Sequence, residues 1–401
     1  MHNIDDLHRL AKQRLPRGLY AMLERGAEDE VTMELNRSDL ARLTLRPRTL
    51  VDVSKRSQEV TLFGKVSRMP VMIGPTGFAG LGAYEGELKL ARAAAAAGVP
   101  YVLGSVSMTS MERVMQHGGG RLWFQLFPWP DRKLNEEVIE RVLAAGYEAL
   151  IITTDTPVLG NLEFILRSGF KLPFRYGFRN ILDVLACPGW LLRVLLPYLL
   201  AGQGRMPRFE NYPPALRRSV TSPRSGMVPI MADSFSWEDL RSVRRKWPRT
   251  LIVKGIMDPR DAVLAADLGV DGIVVSNHGG RNLDASMSTI AALPAIAGAV
   301  GKRMTVLIDG GFRRGTDVIK ALALGAHAVL LGRAALYGLS AAGEAGAARA
   351  LAIFHEEIDR GLAFLGCNSI SELSPDFLAF DADLDRSRQA RHADGAGRRP
   401  V

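Results

Sequence analysis

Cysteine is nearly missing: Cys187 and Cys367 are the only two in 401 residues, far apart and without metal-type spacing. That excludes a disulfide framework and a zinc site and fits a reducing compartment. Aromatic residues are sparse at 7% and nowhere interleaved with a basic groove. The net charge of +9 therefore carries no nucleic-acid motif, and no nucleic-acid partner is expected. No apolar run reaches the ~20 residues that cross a bilayer. Met1 to Asp6 shows no basic stretch leading into an apolar core, so no secretory signal is read and the chain should stay on the cytoplasmic side. What remains is an ordinary globular balance, 47% hydrophobic and 23% charged, enough for one large core.

The distribution of apolar residues gives that core a shape. From Pro70 onward short apolar runs alternate with helical stretches such as Leu88 to Ala97. The runs are Val71–Gly74, Tyr101–Gly104, Leu122–Leu126, Ala149–Thr153, Leu251–Lys254, Gly272–Val275, Val306–Asp309 and Ala328–Leu331. β-Branched residues run continuously rather than alternating, as in strands buried on both faces. Eight β-then-α units predict a TIM (β/α)8 barrel over about 70–340. Ahead of it, Leu7, Leu10, Ala11 and Leu15 at helical spacing, then a second helix from Pro16 to near Gly26, read as an N-terminal helical extension outside the main core. A hairpin is expected through Leu62-Phe63-Gly64-Lys65. A closing helix is expected over Ala347 to Leu365.

Between Thr153 and Leu251 the chain is far longer than a βα loop needs, so the fourth strand is followed by a long insertion, about 160–228. Within it Gly189 to Leu200 is apolar, and Arg205, Arg208, Arg217, Arg218 and Arg224 follow. That combination suits a peripheral membrane contact through 180–225, and equally a helix packed on the barrel with a solvated basic flank. The catalytic domain is read as 1–383, and the arginine-rich 384–401 as a disordered tail without a catalytic role.

The chemistry is expected at the carboxyl ends of the strands. The sixth run breaks into Ser276-Asn277-His278-Gly279-Gly280-Arg281, which places a base and an anion clamp in one loop. Alone, His278 would read as a satisfied structural histidine and Arg281 as a surface charge. The other strand ends reverse that reading. They supply Pro75, Thr76 and Gly77, then Ser105, Gln125, Thr153 and Asp155, and the buried cation Lys254, suited to an electron sink. The seventh and eighth runs lead into Asp309-Gly310-Gly311-Phe312-Arg313 and Gly332-Arg333, the place of this fold's usual phosphate site. A flat, phosphorylated cofactor follows. No Gly-x-Gly-x-x-Gly fingerprint opens a βαβ unit, which argues against a dinucleotide.

These residues resemble the FMN-dependent α-hydroxy-acid oxidases and dehydrogenases, the family of glycolate oxidase, flavin-type lactate dehydrogenase and mandelate dehydrogenase. The likeness runs from Leu15-Pro16 and Gly26-Ala27-Glu28-Asp29 to Ala321-Leu322-Ala323-Leu324-Gly325-Ala326. Leu50 to Ser54 and Ile73 to Gly77 look most like the membrane-associated mandelate dehydrogenase branch. The resemblance implies FMN held by Pro75, Thr76, Gly77, Ser105, Gln125, Thr153, Lys254, Ser276, Asp309, Gly310, Gly311, Arg313, Gly332 and Arg333. It implies His278 as base, Asp155 as its partner and Arg281 on the substrate carboxylate. It also implies a homo-oligomer, a tetramer, and an electron acceptor that is oxygen, quinone or a redox protein.

Three positions depart from the family pattern. Met22 and Phe127 stand where tyrosines are usual, and Leu162 where a second arginine is usual. A more apolar, roomier substrate pocket is expected, unfavourable to glycolate and lactate, with Arg167 and Arg175 the nearest replacements if lactate is taken after all. The leading expectation is an FMN-dependent oxidation of a 2-hydroxy acid or related alcohol or amine to the 2-oxo product. The alternatives are an FMN-barrel isomerase and a non-catalytic flavin binder.

Overall fold

The computed structural model describes residues 1–168, 177–202, 206–222 and 232–379. Eight parallel strands close into a barrel: β1 (Val71–Ile73), β2 (Tyr101–Gly104), β3 (Leu122–Leu126), β4 (Ala149–Thr153), β5 (Thr250–Ile256), β6 (Gly272–Val275), β7 (Thr305–Ile308) and β8 (Ala328–Leu331). β8 pairs back onto β1, Leu330 opposite Met72. The strands are buried on both faces, as continuous β-branched runs require. Met72, Val102, Trp123, Ile151, Ile252, Val274, Leu307 and Leu330 fill the interior.

One end of the barrel is plugged. The hairpin Val60–Leu62 and Lys65–Ser67 turns on Phe63 and Gly64, with φ of 51° and 76°. This pairing of left-handed residues suits a two-residue turn. It pushes Leu62 into the interior cluster and sets the Phe63 ring edge-on to Trp123, centroids 5.5 Å apart. Functional loops gather at the opposite, carboxyl end.

The N-terminal extension is larger and deeper than its sequence pattern suggests. Helices α1 (Ile4–Arg14) and α2 (Arg17–Glu24) lie outside the barrel, but Ile4, Leu7, Ala11, Leu19 and Leu23 are buried in the main apolar cluster, so these helices are not outside the core. A third helix, α3 (Val31–Arg42), was not expected: its buried side is Thr32, Asn36 and Leu40, and a mostly polar stripe leaves no apolar period to read. A helix from Arg333 follows β8 and ends where Ala342 and Gly343 leave helical geometry; the closing helix starts just beyond Gly343, a few residues before the expected Ala347, and runs to Leu365. Thr44–Leu45 then pairs antiparallel with Leu378–Ala379. The expected basic tail lies outside the described residues.

The insertion separates β4 from its own helix, Trp237–Lys246, which starts in a capping box of Ser236 and Asp239. Gly189–Leu200 has a packed face and an open one. Trp190 is buried and its Nε1 donates to the Leu81 carbonyl at 2.7 Å, Val194 is buried below it, and the Tyr198 hydroxyl accepts from the Glu85 N–H. Leu192, Leu196 and Leu200 face outward, as do Phe178, Ile181, Leu182 and Leu185 of the preceding helix, Phe178–Leu185. Of the basic positions, Arg208 pairs with Glu210, while Arg217 and Arg218 hydrogen-bond to backbone carbonyls. Arg205 and Arg224 lie outside the described residues.

Candidate active site

β5 runs two residues further than its apolar run, to Ile256, with a bulge at Gly255. Gly255 has φ +113°, and a Cβ there would lie 2.6 Å from the Cβ of Asp155, so only glycine lets the two strand ends approach. The approach brings a buried charge cluster together. The Lys254 ammonium lies 2.8 Å from the Ser276 hydroxyl, 3.3 Å from Asp309 and 3.5 Å from Asp155. Burial disfavours the ammonium, but the two carboxylates outweigh it and hold Lys254 above an ordinary lysine. Burial also opposes ionisation of Asp155, yet Lys254 and His278 keep its carboxyl well below the usual range.

His278 stands at the mouth of this cluster. Its Nδ1 lies 2.8 Å from Asp155 Oδ1 and its backbone N–H donates to the Ser276 hydroxyl. With Nδ1 donating to a carboxylate, Nε2 is the free acceptor. The residue has φ +55°, a strained conformation for a side chain of this size and of the kind found at functional sites. Asn282 fixes the loop by donating to the Asp155 carbonyl and the Thr156 hydroxyl, both at 2.8 Å. The Phe127 ring lies 5.8 Å from the imidazole.

Arg281 is half-buried, and burial followed by the neighbouring Arg333 pushes it down to about 10. Its Nη1 donates to the carbonyls of Met22 (3.0 Å) and Arg25 (2.7 Å). Met22 thus meets the clamp through its backbone, which the side-chain comparison could not show. Gly160 presses on the same loop, since a Cβ there would fall 2.1 Å from the Arg281 carbonyl. Leu162 follows it, half-buried against the core. Arg167 turns away to pair with Glu163, and Arg175 lies outside the described residues. The cation at this rim is Arg25, missed in the sequence, stacked 3.5 Å over Phe164 and ion-paired with Glu30.

The expected cofactor residues line the rest of this end. Gln125 donates to the Thr153 hydroxyl at 2.8 Å, and Ser105 accepts from the Phe127 N–H. Pro75, Thr76 and Gly77 follow β1. Thr76 comes within 4.0 Å of the place a Gly332 Cβ would take, joining the first loop to the last. Arg313 donates to the Phe312 carbonyl and the Tyr337 hydroxyl, and Arg333 to the Gly279 carbonyl at 2.9 Å.

Several glycines at this end are also required by packing. A Cβ on Gly311 would fall 2.2 Å from the Asn36 carbonyl oxygen, one on Gly310 2.9 Å from the Thr289 hydroxyl, and one on Gly280 2.6 Å from Met33. α3 therefore braces the His278 loop and the loop after β7 together. Asn36 exchanges two amide hydrogen bonds of 2.9 Å with Asn277. A second unread contributor is Glu24, which accepts from Tyr337 and faces His8 and Arg333. Burial opposes its charge, but those partners prevail and hold it down at about 2. Nothing in the spacing around Asn36 or Glu24 marks either residue.

Thr76 Oγ1, Asp309 Oδ1 and Arg333 Nε and Nη2 are buried and have no hydrogen-bond partner among the described residues. Such groups cost ~1–3 kcal/mol each unless something satisfies them. A flavin mononucleotide carries the complementary groups, hydroxyls for the threonine and carboxylate and a phosphate for the guanidiniums of Arg333 and Arg313. The donor set fits. Barrels that hold FMN at their strand ends and take electrons from a bound substrate form one class, the FMN-barrel oxidoreductases, and this chain is one of them. The FMN-dependent dehydrogenase family matches residues 11–380, and the chain belongs to that family. It is 42% identical to the (S)-mandelate dehydrogenase of Pseudomonas putida over 378 residues, 94% of each chain. It is 40% identical to an L-lactate dehydrogenase of Caulobacter vibrioides over 381 residues, 93% of this chain and 96% of that one. Among solved structures, a monotopic membrane protein, (S)-mandelate dehydrogenase, superposes with a TM-score of 0.88 at 41% identity, covering 95% of this chain and 99% of the other. A mandelate oxidase crystallised with (S)-2-phenylpropionate gives 0.78 at 33% identity, covering 94% and 98%.

Proposed function

We propose that the protein oxidises a 2-hydroxy acid larger and more apolar than lactate to its 2-oxo acid. The observation that carries the proposal is the 2.8 Å contact of His278 with Asp155, together with Arg281 three residues beyond His278 in the same loop. Arg281 orients the carboxylate. His278 Nε2 accepts a proton from the substrate, and Asp155, kept ionised, steadies the imidazolium that forms. FMN, when bound, accepts the electron pair. Lys254, held charged between Asp155 and Asp309, supplies positive charge where negative charge accumulates. Met22, Phe127 and Leu162 add apolar surface and no side-chain hydroxyl or guanidinium for the acid. A pure flavin binder would have no use for a base aligned this way beside an anion clamp. Anaerobic mixing with a panel of 2-hydroxy acids tests the proposal: the flavin absorbance should bleach with aromatic or long-chain members, and bleaching with none of them would refute it.

We infer further that the outward leucines of the insertion rest on a membrane surface. No helix among the described residues is long and apolar enough to cross a membrane. Yet Phe178, Ile181, Leu182, Leu185, Leu192, Leu196 and Leu200 are all exposed within two neighbouring helical stretches, an apolar concentration unusual for a surface facing water alone. The triple change Leu192→Ser, Leu196→Ser, Leu200→Ser is expected to weaken co-sedimentation with anionic lipid vesicles about a hundredfold or more, at ~0.8 kcal/mol per buried CH₂. Undiminished sedimentation would show that these leucines do not carry the contact.

A further inference from the structure

α2 joins the insertion to the substrate clamp. The helix has no side-chain cap of its own, since Pro16 precedes it. Its first free N–H groups are taken instead by a carboxylate from far along the chain. Asp183, on the insertion helix Phe178–Leu185, accepts from Arg17 N at 3.0 Å through Oδ1 and from Gly18 N at 3.1 Å through Oδ2. At the other end of α2 the carbonyls of Met22 and Arg25 receive Arg281 Nη1. A carboxylate thus sits on the positive end of a short helix and a guanidinium at its negative end, both in the favourable sense.

The arrangement gives α2 a task beyond filling space. Arg281 spends Nη1 on the helix, so the position of α2 sets where the rest of the fork points. Leu162 stands where the family usually has a second arginine, which leaves more of the grip to Arg281. We propose that Asp183 is a positioning residue for substrate binding: by capping α2 it holds the Met22 and Arg25 carbonyls where they aim Arg281 at the carboxylate. Asp183 touches neither the base nor the cofactor residues. It acts on the grip and not on the chemistry.

The inference rests on the proposed 2-hydroxy-acid activity and is tested with Asp183→Ala and Asp183→Asn in the FMN-loaded protein. The alanine variant is expected to raise KM for the acid about tenfold, the scale of a clamp displaced by a fraction of an ångström. Its kcat should stay within about twofold, because a group that acts on ground and transition states alike leaves kcat in place. The asparagine variant, which keeps one acceptor oxygen, should recover most of the loss. FMN affinity of the stripped protein, read by quenching of flavin fluorescence, should not change. Inhibition by the 2-oxo acid should weaken in the alanine variant while inhibition by the corresponding 2-oxo amide, which offers Arg281 no carboxylate, should not. An unchanged KM overturns the proposal, and so does a loss falling equally on KM, kcat, flavin affinity and melting temperature. A parent protein that oxidises no 2-hydroxy acid would instead refute the activity itself.

Discussion

Replacing His278 by glutamine is expected to leave FMN bound and to slow its reduction by substrate about a hundredfold or more, the contribution of a well-placed general base. The cofactor should stay because the groups awaiting it, Thr76, Asp309, Arg313 and Arg333, come from other loops, and Arg333 meets the base loop through the Gly279 backbone carbonyl and not through the imidazole. The rate should fall because the imidazole Nε2 is the proton acceptor left open by the Asp155 bond, and an amide does not take a proton near neutrality. The side-chain volume barely changes, so the Phe127 ring and the Asn282 brace keep their places. Stopped-flow reduction under anaerobic conditions gives the number directly, and an equal rate in mutant and parent would remove His278 from the mechanism.

A second large effect concerns the choice of substrate. kcat/KM for lactate is expected to fall two to four orders of magnitude below that for a mandelate-like or alkyl-substituted 2-hydroxy acid, with an artificial acceptor in both cases. Each polar substrate group buried beside Met22, Phe127 or Leu162 without a partner costs ~1–3 kcal/mol. Two such losses amount to about that range, at ~1.4 kcal/mol per tenfold. A small acid has nothing to offset them, whereas a large apolar body gains by burial against the same side chains. Arg25, a further cation at the rim, is already engaged by Phe164 and Glu30. If lactate proves the best substrate, the apolar-pocket argument fails, and Arg25→Ala becomes the variant to examine.

The barrel and the triad of His278, Asp155 and Arg281 are legible in the sequence because continuous β-branched runs and charged residues at their ends are local signals. What escapes is held by contacts between distant residues. α3 carries Thr32, Asn36 and Leu40 on its buried side, and it stays in place through the Asn36–Asn277 amide pair and the Asp284 carboxylate on Thr32 N, not through an apolar stripe. Gly310 and Gly311 read as phosphate-loop glycines, but the side facing α3 has no room for a Cβ, a requirement invisible without α3 itself. Trp237–Lys246 does carry a readable start in Ser236 and Asp239, obscured by the length of the insertion before it. For Gly189–Leu200 the apolar run was plain while its division into a packed and an open face was not. That division depends on Trp190 finding the Leu81 carbonyl, more than a hundred positions earlier.

The antiparallel pair that joins Thr44–Leu45 to Leu378–Ala379 has a consequence for how the protein is made. Thr44 waits for a partner 335 residues downstream, and α1 waits for the closing helix. At ribosomal speeds of ~5–20 residues per second the first segments emerge roughly 20–70 s before the elements that cover them. Until the closing helix emerges, Leu7 of α1 lacks the element that covers it. Folding dominated by such distant pairings is intrinsically slow. The nascent chain therefore presents the apolar side of α1 to chaperones for most of its synthesis.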